Sequence, residues 1–143
     1  MSLINELRVK SYNAENAKQE VIAEIKGYFD KYFEGDGLEQ YLRVWIHSGH
    51  IEQRQVNLGV SFWEHHDGCS GTNFSCGGGR WMNPDPKSWR YKGVELRTID
   101  NDVCDYLLTK LIAKMRELGF HFVSENDCRS RFGYYDKSVY FGW

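Results

Sequence analysis

From Ala14 to Phe33 the apolar residues Ala14, Ala17, Val21, Ile22, Ile25, Tyr28, Phe29, Tyr32 and Phe33 recur at three- and four-residue steps. Only a helix gathers such residues on one face, so this stretch predicts an amphipathic helix with a long apolar stripe. Asn13 is the expected N-cap, and Gly35-Asp36-Gly37 supplies the stop. Glu15, Lys18, Glu20, Glu24, Lys31 and Glu34 fall on the other face and mix both signs, as on a solvated surface. A single helix cannot bury its own stripe, and the rest of the chain must therefore supply a partner layer.

Alternation supplies that layer. Val56, Leu58, Val60 and Phe62 alternate with Asn57, Gly59, Ser61 and Trp63, the period of a strand with one buried face. Gln40 to His47 is read the same way: Leu42, Val44 and Ile46 lie on one side, Tyr41, Arg43, Trp45 and His47 on the other. With Ser48-Gly49-His50 as the turn, the two segments predict an antiparallel hairpin. Leu3 to Ser11 reads as a further short strand. Val94-Glu95-Leu96-Arg97-Thr98 reads as a strand leading into a second helix, N-capped by Asp100, striped by Val103, Leu107, Leu111, Met115 and Leu118, and closed by Gly119. Phe120 to Ser124 and Ser138 to Trp143 are the last two expected strands.

The expected fold is therefore α+β, a two-layer sandwich in which two helices lie on one face of a mainly antiparallel sheet. The order strand, helix, strand, strand is read twice, with Glu6-Leu7-Arg8 and Glu95-Leu96-Arg97 before the two helices, so a duplicated unit is one origin for the layout. At 143 residues the chain is the size of a single domain, 1–143, with a patternless inserted loop at about 65–92 that carries both prolines. Rings are plentiful: five Trp, nine Tyr and eight Phe. Each can bury about 150–250 Å², enough for a workable core in a short chain.

Charge and composition narrow the function. The net charge of -2 argues against a general polyanion binder. No run approaches the ~20 apolar residues that cross a bilayer, and the first residues lack a basic-then-apolar leader. A cytoplasmic address, no membrane partner and reduced cysteines are expected, with Cys104 as core filler. If the apolar side of the hairpin faces the helices, Arg43, Trp45, His47 and Trp63 share the outer face of the sheet, where rings stack a flat ligand and Arg or His orients it. Arg80, Trp81 and Trp89 in the loop would extend such a surface; folding of the loop over the rings is the competing arrangement.

The densest chemical cluster is His65, His66, Cys69 and Cys76, four N and S ligands of the kind a structural zinc ion takes, although no Cys-x-x-Cys spacing is present. The same residues suggest a Cys69 or Cys76 nucleophile with a His65 or His66 base. Basic and aromatic residues interleave from Arg80 to Lys92, a mixture that suits single-stranded nucleic acid. The expectation is a small intracellular, non-enzymatic binding or interaction protein for a small molecule or protein partner, without a resident cofactor other than zinc. A zinc-stabilised loop module, a single-stranded nucleic-acid binder and a thiol-dependent hydrolase are the alternatives.

Overall fold

Ser2 starts the first helix, α1 (Leu3–Glu34), by accepting the backbone N–H of Asn5 on its Oγ at 3.2 Å. The computed structural model describes residues 2–64, 72–76, 79–82, 90–128 and 134–143, with the backbone alone at 63–64, 72–76, 79–82 and 90–91. The helix expected from Ala14 is thus present, but it begins eleven residues earlier, and the expected strand at Leu3–Ser11 is its first turns. Ser2 competes successfully with Asn13 as the cap because it satisfies an amide that a mid-helix Asn13 does not need to reach.

The larger correction concerns Gln40–His47. Gly37–Ile46 is a second helix, α2, and not a strand. Leu38, Tyr41, Leu42 and Trp45 stand at i, i+3, i+4 and i+7, a helical stripe that competes with the alternation of Leu42, Val44 and Ile46. Burial decides between them: Leu42 is 5% exposed and Val44 is 70% exposed. Pairs one turn apart reinforce the helix, Arg43 to Glu39 at 2.8 Å and Gln40 Nε2 to Asp36 Oδ2 at 2.7 Å. Without strands at 3–11 and 40–47, the hairpin and the duplicated strand-helix-strand-strand unit both fall.

After a 3₁₀ turn at Ile51–Gln53 comes β1 (Gln55–Glu64), then β2 (Thr72–Cys76), β3 (Gly79–Met82) and the short pair β4 (Arg90–Tyr91) and β5 (Val94–Glu95). The segment read as one patternless loop therefore contains strands; residues 65–71, 77–78 and 83–89 lie outside the described residues. A second 3₁₀ turn, Leu96–Thr98, precedes α3 (Asp100–Glu117), in which Asp100 is the first residue rather than the cap. Two strands, β6 (His121–Asp127) and β7 (Asp136–Gly142), complete the chain as expected, with wider bounds.

Among the described residues the main sheet is antiparallel throughout and runs β3-β2-β1-β7-β6, with β4 and β5 forming a separate pair. Pairing of Val56 with Phe141 and Leu58 with Val139 sets the apolar residues of β1 and β7 on one face, and all four are buried. Helices α1 and α3 cover that face, contributing Val21, Ile25 and Phe29 from the first and Val103, Leu107, Leu111 and Met115 from the second. The fold is α+β as expected. The opposite face carries Asn57 and Asn126, both exposed, with Ser61, Ser138 and Tyr140. A bulge between Phe122 and Ser124 interrupts the β6–β7 register.

Polar ties lock the layers. Tyr106 of α3 donates its hydroxyl to Asp30 of α1, with Lys110 3.4 Å from the same carboxylate and Lys26 4.8 Å above the ring. Tyr135, fully buried just before β7, donates to Asp105 Oδ1 at 2.7 Å. Burial, and then this hydrogen bond, push the Tyr135 hydroxyl well above the usual tyrosine range. The folded state therefore holds this proton more tightly than the unfolded chain. Tyr135 stabilises fully below pH ~10, and the benefit shrinks as the pH rises beyond that, where the unfolded phenol ionises first. Tyr135→Phe is expected to cost about 1–2 kcal/mol at pH 7, the lower range for a bond to a charged group because Asp105 is largely hydrated. It should also flatten the decline in stability that urea titrations of the parent are expected to show between pH ~10 and ~12. An unchanged alkaline slope would separate that decline from Tyr135.

Candidate functional site

The residues expected to form one outer platform do not stand together on the sheet. Arg43 and Trp45 belong to α2, and His47 is its exposed C-cap. Trp63 remains on β1, opposite Asn73 of β2; Arg80 and Trp81 are on β3, with Arg80 opposite Ser75. Cys76 of β2 pairs with Val60 and Gly79. Trp89, His65, His66 and Cys69 lie outside the described residues. Among the described residues no group of three or more His, Cys, Asp and Glu side chains is arranged to hold a metal. Cys104 is buried, and Cys128 is exposed and outside any disulfide.

What the helical form of 37–46 creates instead is a cavity. Trp45 and Ile46 leave the end of α2, and the chain turns at once, with the N–H groups of Ser48 and Gly49 donating to the Trp45 carbonyl at 2.9 and 2.6 Å. A Cβ on Gly49 would lie 2.3 Å from the Trp45 ring, so the indole rests directly on this turn and only glycine allows that approach. The 3₁₀ turn then brings Ile51 across from Ile46.

The opposite wall comes from the end of α3. Gly119 adopts a φ of +101°, and the Phe120 N–H donates back to the Met115 carbonyl while the Gly119 N–H donates to that of Arg116, both at 3.0 Å. These are the paired bonds of a Schellman motif, and they turn Phe120 inward. Trp143, which follows β7, stands between the walls: its ring meets Trp45 at 6.1 Å and 81° and Phe120 at 6.1 Å and 86°. Both contacts are T-shaped, the favourable arrangement of ring edges against ring faces.

Leu42, Trp45, Ile46, Ile51, Phe120 and Trp143 line the resulting cavity of about 340 Å³. None carries a titratable side chain, and the indole N–H groups of the two tryptophans are their only polar side-chain atoms. A smaller hollow of about 160 Å³ adjoins it, sharing Leu42, Ile46 and Phe120 and reaching the Arg43–Glu39 ion pair. The arrangement can grip flat or branched apolar groups, and among the described residues that line it there is no general acid, base or nucleophile. Of the expected binding residues, Trp45 lines the main cavity and Arg43 its neighbour. Nothing local in the sequence around Trp143 indicates the two rings it meets.

No family model, curated protein or solved structure matches this chain.

Proposed function

We propose that the protein binds a neutral, ring-bearing apolar small molecule in the cavity between α2, Phe120 and Trp143. The reading rests on one observation: Trp143, near right angles to both Trp45 and Phe120, forms with them and three aliphatic side chains a half-open hollow of about 340 Å³ whose described lining carries no charged group. Small-molecule sites begin near 300 Å³, and an apolar cavity of about 150 Å³ already accepts benzene, so two fused or linked rings are the expected size. The role stays that of a binding protein. Its surface moves from the sheet to the helix end. With an exposed free thiol at Cys128 and no helix among the described residues long and apolar enough to cross a membrane, we assign it to the reducing cytoplasm.

Titration with N-phenyl-1-naphthylamine, a neutral probe that brightens in apolar surroundings, tests the reading. Saturable binding is expected, and Ile46→Asp should weaken it at least tenfold by placing a carboxylate at the mouth. Ile46 is half exposed, so the variant should keep the parent thermal midpoint. A probe signal that is absent, or indifferent to Ile46→Asp, would sink the proposal.

A further inference from the structure

At about 100° per residue, side chains of α2 run round the helix in the order Trp45, Leu42, Ile46, Glu39, Arg43. Trp45 lines the larger hollow, Glu39 and Arg43 the smaller one, and Leu42 and Ile46 both. Phe120 also lines both, with Leu118 beside it in the smaller. Along one helix the lining thus passes from apolar to ionic without a break.

The ionic end is balanced. Arg43 donates one guanidinium N–H to Oε1 of Glu39 at 2.8 Å, so the pair carries no net charge and keeps further donors and a second carboxylate oxygen for another molecule. An anionic group entering there meets Glu39 as well as Arg43, and a cationic group meets Arg43 as well as Glu39; each attraction is offset by a repulsion. A neutral group with C=O and N–H side by side suits both partners, its oxygen accepting from Arg43 and its N–H donating to Glu39. We infer that the ligand is a neutral two-ring carboxamide or lactam, its rings against Trp45, Phe120 and Trp143 and its amide on the Arg43–Glu39 pair. This rests on the reading that the larger hollow binds a ring-bearing molecule. Size agrees: the smaller hollow, of about 160 Å³, has room for an amide and a few waters at about 30 Å³ each.

Displacement of N-phenyl-1-naphthylamine at pH ~7 by naphthalene, 2-naphthamide, 2-naphthoate and 2-naphthylmethylammonium tests this. 2-Naphthamide should bind about fivefold more tightly than naphthalene, a modest gain because water competes at an exposed pair, and both charged compounds about threefold or more weaker than the amide. Arg43→Gln should bring 2-naphthamide to within about twofold of naphthalene. Glu39→Gln leaves the guanidinium without its carboxylate, so 2-naphthoate should overtake 2-naphthamide in that variant. Failure of N-phenyl-1-naphthylamine to bind the parent overturns the inference together with the reading beneath it. Saturable probe binding with naphthalene and 2-naphthamide equal in the parent overturns the inference alone, as does 2-naphthoate that stays behind 2-naphthamide in Glu39→Gln.

Discussion

Phe141→Ala is expected to lower the free energy of unfolding by about 3–5 kcal/mol, the range for a buried ring truncated in a close-packed core. Phe141 is fully buried and stands in register with Val56 on one side and Phe122 on the other. Helices α1 and α3 cover this face, so neighbouring side chains have little room to collapse into the space. Set against the 5–15 kcal/mol that holds a typical domain together, the loss should drop the thermal midpoint by roughly 10–15 °C, read by circular dichroism. A fall below about 1 kcal/mol would place β7 outside the core. Because Gly142 and Trp143 follow directly, the variant should also loosen the cavity wall.

Gly119→Val should cost about 2–3 kcal/mol. A φ of +101° is beyond even the small left-handed region that other residues visit, and a β-branched side chain is the worst occupant. Space is not the issue, since a Cβ there would meet nothing within 4 Å. Relief of the strain requires unwinding the Schellman turn, which carries Phe120 away from Trp143. The same substitution is therefore expected to weaken N-phenyl-1-naphthylamine at least fivefold. Gly93→Ala, at a φ of +81° away from the cavity, serves as the comparison: roughly 1 kcal/mol lost and probe affinity unchanged. Equal effects of both substitutions on the probe would show that Gly119 does not position Phe120.

Legibility in the sequence followed the purity of each periodic signal. In β1 the residues between Val56, Leu58, Val60 and Phe62 are Asn57, Gly59 and Ser61, so only one face can be buried, and the reading and the structure agree. In α3 the stripe is bounded by acids at its start and by Gly119 at its end, and its period is equally unambiguous. Residues 40–47 differ because Tyr41, Leu42, Val44, Trp45 and Ile46 crowd together; such a run satisfies both periods, and what separates them is Leu38, outside the alternating window, and the Glu39–Arg43 pair. At the start of the chain Leu7 and Val9 mimic alternation, whereas Leu3, Ile4 and Leu7 extend the helical stripe. The cavity was half visible: Trp45 drew attention as a ring beside a cation, but its partners Phe120 and Trp143 are far along the chain, and only tertiary packing joins them.

The bulge in β6 has a consequence for how the protein stays in solution. As the last strand of its sheet, β6 presents one side without a neighbouring strand among the described residues, the geometry from which sheets grow by recruiting strands of other molecules. The register shift between Phe122 and Ser124 spoils that template midway, and the exposed Glu125 and Asp127 set like charges against any identical strand that approaches in register. Strand-by-strand growth along this border is thereby disfavoured.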